Sequence, residues 1–425
     1  MNSIIYYKNL QKYLLLSIIL FSIVYGYLYL TNRIILPSND IVIIQITSLI
    51  FFLGAFTLGI RLNTRSVFIL IFFYQAILSI FFFLSKSFEY NVDYFSYSYI
   101  ARLPIKDIPK ETIDFSDWGY SLILHNMYKL GGGRIGGDLL VCILNIFTQI
   151  PTTYFVWKLT KKLFSEKEAK IAILLWGLNI YSIWFNATGL KESIFVFIIT
   201  GSSYYMYMFM QSKKTKYLLP FLLFVISSIF FRYYVTIFFV IVFFLRIFFQ
   251  KLYEKYFLHL CLISLAIILF GDIMIAKYFS DVMAIVLQRE ALWKDQNIII
   301  GTVFNVISAF ISPYPAINFT NQNVNLLTSI FSVFKVFFSV WGLYGMFILI
   351  RNRQSHTYPL INILFFNILL TIISGFSLNY RYMHITMPLY TIFIAYGFKC
   401  CQYKKIISFF YIPVVLILMV IYNLR

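Results

Sequence analysis

The chain has 425 residues, of which 61% are hydrophobic and only 12% are charged, and its mean hydropathy is +0.82. An ordinary soluble domain carries about 25% charged residues, so this composition excludes a soluble globular protein and predicts an integral membrane protein. The formal net charge of +19 would indicate a nucleic-acid partner in a soluble protein. Here most of the basic residues lie at the ends of apolar segments, which is typical of a membrane-topology signal.

The apolar runs have the length of membrane-spanning helices, because about 20 helical residues cross a hydrocarbon core of about 30 Å. They lack the alternation that a β-barrel requires. The sequence therefore predicts an all-α polytopic membrane protein with about 13 transmembrane helices. We place these spans at about 13–30, 41–60, 67–84, 139–157, 170–186, 192–210, 217–231, 233–249, 257–271, 326–350, 358–376, 382–398 and 406–423.

The charges between the spans predict the orientation. With a cytoplasmic N-terminus, nearly every short inner loop is basic. Only three acidic residues then fall inside, namely Glu166, Glu168 and Glu254. We expect a location in the bacterial inner membrane, with an active site on the periplasmic or extracellular face.

Two outer segments, 85–138 and 272–325, are too long to be simple turns, and long connections are often functional. The first holds seven acidic residues in the stretch SKSFEYNVDYFSYSYIARLPIKDIPKETIDFSDWGYSLILHNMYKLGGGRIGGD. The second contains NIIIGTVFNVISAF, residues 298–311, which is short for a crossing and predicts a re-entrant or interfacial helix. The single transmembrane domain thus carries two extended outer loops.

Five charged or titratable residues near span ends all fall on the predicted outer side: Lys191, Glu192, Arg232, Arg381 and His384. A charge inside a membrane costs about 2.5 kcal/mol or more, so such residues usually face a polar cavity or a partner. Arginine binds phosphate through a planar fork, which makes these residues candidates for holding an anionic headgroup. They could instead anchor helix ends at the interface by snorkelling.

The first outer loop supplies candidate catalytic carboxylates, Asp93 in NVDYFSYSYIA and Asp117 in DFSDWGY. A carboxylate beside a cationic pocket could act as general base towards a hydroxyl. Aromatic residues near these charges could contact a substrate or belong to an interfacial belt. The candidates are Tyr94, Tyr97, Trp118 and Tyr380.

The order of several segments resembles a known group of membrane enzymes. DYFSYSYIA follows a span, and WGYSLILHNMYKLGG, KLFSEKEAKIAILLWGLNIYSIWFNATGLKESIFVF and NYRYMHITMPLYTIFIAYG come later. Residues 90–210 and 378–398 resemble the GT-C superfamily of glycosyltransferases, specifically glycosyltransferase family 39 and its Rgt-like members. The resemblance implies a GT-C-like fold, with Asp93 as catalytic carboxylate, Glu192 as the span-heading acid and Arg381 near the donor phosphate.

The sequence departs from that family at Ser121, where proline is common, and at Lys191 before the acid. O-antigen and exopolysaccharide polymerases of the Wzy and EpsG kind are similar in the same features. Both groups act on polyprenyl-linked sugars at the outer face, so the shared chemistry is the firmer expectation.

The sequence thus predicts a glycosyltransferase that moves a sugar from a polyprenyl phosphate or diphosphate carrier to an outer-face acceptor, which is a glycan or another lipid-linked molecule. The catalytic set would be Asp93, Asp117 and Glu192, and the donor phosphate would be held by Lys191, Arg232, Arg381 and His384. A repeat-unit polymerase is the first alternative, a flippase of lipid-linked oligosaccharide the second, and an assembly subunit a third. No cofactor is required, although a divalent cation could bind the acidic loop, and no nucleic acid is expected.

Overall fold

The computed structural model describes residues 39–84, 118–257, 307–311, 323–373 and 380–424, with isolated positions at 11, 12, 15, 99, 259 and 261. Within these residues the regular structure is helical and contains no strand, which confirms the all-α prediction. The described part excludes nearly all of the predicted span at 13–30, most of the one at 257–271, and most of both long loops. It also excludes four predicted site residues: Asp93, Tyr94, Tyr97 and Asp117.

The described helices are numbered here in chain order. They are α1 (Asn39–Arg61), α2 (Thr64–Leu84), α3 (Trp118–Leu130), α4 (Arg134–Leu163), α5 (Glu166–Gly177), α6 (Ile180–Ala187), α7 (Glu192–Ser212), α8 (Thr215–Phe248), α9 (Gln250–Phe257), α10 (Asn323–Arg351), α11 (Tyr358–Ile373), α12 (Tyr380–His384), α13 (Met387–Cys400) and α14 (Lys404–Leu424). A helical turn also covers 307–311.

Four helices in the described chain are long and apolar enough to cross a membrane: Thr64–Leu84, Arg134–Leu163, Glu192–Ser212 and Thr215–Arg232. A fifth crossing results if the bent pair Val235–Phe248 and Gln250–Phe257 is taken as one span. The count of about 13 is therefore not confirmed.

Two of the predicted spans are each two helices in the structure. The run at 170–186 breaks between α5 and α6, where the side chain of Asn179 accepts a hydrogen bond from the Tyr181 N–H at 3.0 Å. Such a cap starts a new helix by satisfying a backbone donor. The run at 382–398 is likewise divided between α12 and α13.

Helix α8 is a hairpin, because Arg232 has non-helical backbone angles (φ −161°, ψ 95°). The two arms lie antiparallel: the Ser228 and Thr236 hydroxyl oxygens are 2.6 Å apart, and the Phe221 and Phe243 ring centroids are 4.9 Å apart. The arms correspond to the predicted spans at 217–231 and 233–249, so Arg232 lies at the tip of the hairpin.

Buried amide side chains connect the helices around α6. Asn186 donates to Gln75 Oε1 of α2 at 2.9 Å, and its Oδ1 accepts from Ser193 of α7 at 2.7 Å and from Gln149 of α4 at 3.4 Å. Since each of these polar groups would be costly if left unpaired in an apolar interior, the network fixes how α2, α4, α6 and α7 pack.

Close helix contact at the other side of the bundle depends on glycine. A Cβ atom added to Gly397 of α13 would lie 1.9 Å from the Trp341 carbonyl oxygen of α10. Only a glycine permits this approach, as is usual where membrane helices pack through small residues.

Candidate functional site

The candidate site is built around Glu192, the first residue of α7, which is fully buried. Its Oε1 accepts hydrogen bonds from Arg232 Nη2 at 3.2 Å and from Arg381 Nη2 at 2.7 Å and Nε at 2.9 Å. One buried carboxylate therefore joins the tip of the α8 hairpin to helix α12.

The turn before α7 sets the position of this carboxylate. Gly189 has a φ of +62°, a conformation that glycine adopts at little cost, and this allows a short turn of four residues to link the end of α6 at Ala187 to the start of α7 at Glu192. A negative side chain in the first turn also interacts favourably with the helix dipole.

Arg232 reaches the site because the chain is extended at the hairpin tip, which releases its side chain from the helix surface. Its guanidinium carbon lies 4.4 Å from the centroid of the Tyr382 ring and 5.8 Å from that of Phe195. These contacts are in the range of cation–π interactions. Tyr382 was not among the predicted site residues, although it stands beside Arg381 in the NYRYMH segment.

Arg381 contacts Glu192 through one edge of its guanidinium group. Its side chain is 18% exposed, compared with 7% for Arg232 and 0% for Glu192. A ligand approaching the cluster would therefore meet Arg381 first.

Lys191 adds a third cationic side chain next to the carboxylate. It is 6% exposed, and its Nζ donates to the carbonyl oxygen of Phe231 at 3.4 Å. Since Phe231 precedes Arg232, the lysine lies at the same hairpin tip. Fixed donors of this kind stabilise negative charge in a dry site without reorganisation.

The second oxygen of Glu192 has a different environment. Oε2 is buried and has no hydrogen-bond partner in the part of the chain that the structure describes. A buried oxygen of this kind can accept a hydrogen bond from a hydroxyl group of a bound ligand.

Helix α3 contacts both the turn before α7 and the tip of the α8 hairpin. The sequence did not predict these contacts. The hydroxyl of Tyr120 donates to the carbonyl oxygen of Gly189, just before Lys191. A Cβ on Gly119 would lie 2.6 Å from Cβ of Phe230, so α3 packs closely on the hairpin tip. In the sequence, Gly119 and Tyr120 belong to the WGY segment, which was noted for its resemblance to glycosyltransferases but not for these contacts.

Of the remaining predicted residues, the structure describes the positions of His384, Trp118 and Tyr380. His384 is buried, and its ring centroid is 4.7 Å from that of Phe185 and 5.2 Å from that of Trp176. Trp118 and Tyr380 begin α3 and α12. Asp93, Asp117, Tyr94 and Tyr97 lie outside the described residues, so the structure does not place them beside the cluster.

Within its described ranges the structure contains no group of three or more His, Cys, Asp or Glu residues that could hold a metal ion, and most of the acidic loop proposed to bind a divalent cation lies outside those ranges. All four cysteines have free thiols.

Comparison of the chain with protein-family models, with curated proteins and with solved structures finds no match. The GT-C and polymerase resemblances therefore stand as hypotheses based on the quoted segments alone.

Proposed function

We propose that the protein is an integral membrane glycosyltransferase. It would take a sugar or oligosaccharide from a polyprenyl phosphate or diphosphate carrier and pass it to an acceptor hydroxyl at the outer face of the bacterial inner membrane. The observation that carries this proposal is the convergence of Arg232 and Arg381 on buried Glu192, with Lys191 beside them.

A cluster of cationic side chains is suited to binding the phosphate group of the carrier. In glycosyl transfer the bond between the anomeric carbon and a phosphate oxygen breaks, and negative charge grows on that phosphate. Arg232, Arg381 and Lys191 would stabilise this charge, because arginine binds phosphate oxygens through two parallel N–H donors. Glu192 would hold the two guanidinium groups in place before the substrate arrives.

The acceptor oxygen forms the new bond to the anomeric carbon and must lose its proton. Asp93, supported by Asp117, is our proposed proton acceptor. Oε2 of Glu192, which has no hydrogen-bond partner among the described residues, would bind a sugar hydroxyl. Tyr94, Tyr97, Trp118 and Tyr380 remain proposed sugar contacts.

The same chemistry would serve a Wzy-type polymerase, whose acceptor is a second lipid-linked repeat unit. A flippase would use the cationic cluster to hold the headgroup but would break no bond. A transferase and a polymerase make different products and a flippase makes none, so analysis of the glycan products of the purified protein separates them.

The test is mass analysis of lipid-linked intermediates and envelope glycans in a deletion strain. Loss of one decorating sugar indicates a transferase, and accumulation of single repeat units indicates a polymerase. We expect Arg351→Ala to restore the wild-type pattern and Arg381→Ala not to restore it, since Arg351 is an exposed residue at the end of α10. A deletion strain with unchanged glycans and intermediates would contradict the proposal.

A further inference from the structure

A lateral groove lies between α2 and α4. Its volume is about 270 Å³. It is lined mainly by apolar side chains, among them Phe68, Ile69 and Phe72 of α2 and Ile146 and Ile150 of α4. Ile69 is 58% exposed and Ile150 is 41% exposed, so the groove is open at the side of the bundle.

Basic and aromatic residues continue the two walls of the groove towards one end. On α2, Arg65 precedes Phe68 by three residues and Ile69 by four, and on α4, Trp157 and Lys161 follow Thr153 at steps of four. Residues at these spacings share a helix face. The Phe68 and Trp157 ring centroids are 5.9 Å apart, so the groove wall meets this basic end directly.

Lysine side chains surround the Trp157 ring at that end. Nζ of Lys158 lies 4.9 Å and Nζ of Lys161 lies 5.0 Å from the ring centroid. One acid is also present. Oε2 of Glu166 forms an ion pair with Nζ of Lys161 at 2.7 Å, and its Oε1 accepts hydrogen bonds from Trp157 Nε1 at 2.9 Å and from the Thr64 hydroxyl at 2.7 Å. With Arg65, Lys158 and Lys161 against Glu166, the balance of charge at this end is positive.

We propose that the groove and its basic end form a binding site for an anionic phospholipid of the bilayer. One acyl chain would lie along the groove, and the phosphate would contact Arg65 and Lys161 beside Trp157. Apolar chains fit a groove that faces hydrocarbon, and basic residues near a membrane surface attract anionic headgroups. An indole ring is favoured at the level of the headgroups. The lipid site itself is argued without the reaction proposed above, and only the choice of a bilayer phospholipid over the polyprenyl carrier rests on the proposed function.

The position of the basic end favours a bilayer phospholipid over the polyprenyl carrier. Asn145 of α4 donates to the Leu190 carbonyl oxygen at 3.4 Å, next to Lys191. Trp157 lies twelve residues further along α4, which corresponds to about 18 Å along the helix axis. A phosphate bound there would be too far from the Glu192 cluster to react in it.

The test compares lipid retention by native mass spectrometry of the purified full-length protein. The probes are phosphatidylglycerol, phosphatidylcholine and a polyprenyl phosphate. We expect selective retention of phosphatidylglycerol, reduced at least about tenfold in the double variant Arg65→Ala/Lys161→Ala. The control Lys214→Ala/Lys216→Ala, which removes two exposed lysines at the start of α8, should retain the lipid like the wild type.

Filling the groove tests the acyl-chain part separately. Ile150→Trp and Ile69→Trp act from opposite walls, and both positions are exposed enough for folding to tolerate a larger side chain. We expect each to reduce retention of phosphatidylglycerol while leaving the melting temperature without added lipid unchanged. The proposal would be overturned if both tryptophan variants, or the double charge variant, retained phosphatidylglycerol as well as the wild type does. It would also be overturned if the wild type preferred the polyprenyl phosphate.

Discussion

Arg381 and Glu192 are 189 residues apart in the sequence, yet Nη2 of Arg381 lies 2.7 Å from Oε1 of Glu192. The contact joins α12 to the start of α7, and Arg232 joins the same oxygen from the α8 hairpin. Three separate parts of the chain therefore depend on one buried carboxylate for their relative positions.

Glu192→Gln should destabilise the protein strongly. The amide has nearly the same shape as the carboxylate but leaves the buried guanidinium group of Arg232 and the partly buried one of Arg381 without their shared counter-charge. Breaking a buried ion pair costs about 3–5 kcal/mol. Thermal unfolding in detergent would measure the change. Glu254→Gln is the matched control, because that carboxylate pairs with Arg246 and is 32% exposed, so its loss should cost at most about 1 kcal/mol.

Arg381→Lys tests whether transfer activity requires the planar guanidinium group of Arg381 or only its positive charge. A lysine keeps the positive charge but cannot reproduce the two contacts that Nε and Nη2 make with Glu192. We expect transfer activity to fall at least about tenfold, since paired N–H contacts give both energy and orientation. Activity of the Arg351→Lys control should stay at the wild-type level, and an active Arg381→Lys enzyme would show that charge alone suffices.

Tyr120→Phe removes the hydroxyl that holds the turn before Lys191. The Gly189 carbonyl would lose its donor, which we expect to lower the free energy of unfolding by about 1 kcal/mol. Because Tyr120 acts through the turn, we also expect KM for the lipid-linked donor to rise. Tyr128→Phe is the comparison, since that hydroxyl bonds to Asp138 and should affect stability without changing KM.

The sequence predicted the parts of this site that membrane energetics constrain. A charge next to hydrocarbon requires a partner, and that reasoning selected Glu192, Arg232 and Arg381 from isolated positions. It also placed a boundary between two spans at Arg232, where the structure has the tip of a hairpin.

Other features left no such signal. Asn179 stands inside a continuous apolar run, and hydropathy does not distinguish a helix cap from a span interior there. The contact of Tyr120 with Gly189 joins residues 69 apart, and a tyrosine near a predicted interface has an ordinary explanation in the aromatic belt. The role of Asn186 at the centre of the buried amide network depends on residues that are distant in the sequence, so it could not be predicted from the sequence.

Replacing Lys335 is expected to stabilise the protein, whereas the Glu192 and Tyr120 variants are expected to destabilise it. Lys335 is 7% exposed, its Nζ has no hydrogen-bond partner in the described part of the chain, and it lines a cavity of about 10 Å³ with Thr386 and Tyr390. Lys335→Met should raise the free energy of unfolding by about 1–3 kcal/mol, because an apolar side chain of similar length avoids the desolvation of an ammonium group.

The exposed residue Lys216, changed to Met, is the control and should have little effect on the melting temperature. A lower melting temperature for Lys335→Met would mean that the lysine is stabilised by a bound partner in the folded protein.

Glu166, at the basic end of the α2–α4 groove, should make the stability of the protein depend on pH. Burial alone would raise the pKa of Glu166, but hydrogen bonds from Lys161, Thr64 and Trp157 and the charge of Lys161 outweigh it and lower that pKa below its ordinary value of 4.5. The stability that Glu166 contributes is thus fully present above pH 4.5 and is lost as pH falls through the lowered pKa. Melting temperatures of wild type and Glu166→Gln should differ at pH 7 and converge in strong acid, and a constant difference would contradict this assignment.

The most direct measurement is a binding titration of the purified protein with farnesyl diphosphate, a soluble short-chain analogue of the carrier, using farnesol as the uncharged control. We predict saturable binding of the diphosphate but not of farnesol, weakened at least about tenfold in both Arg232→Ala and Arg381→Ala and unchanged in Arg351→Ala. Equal affinity in all four proteins would show that the Glu192 cluster does not hold an anionic isoprenoid headgroup.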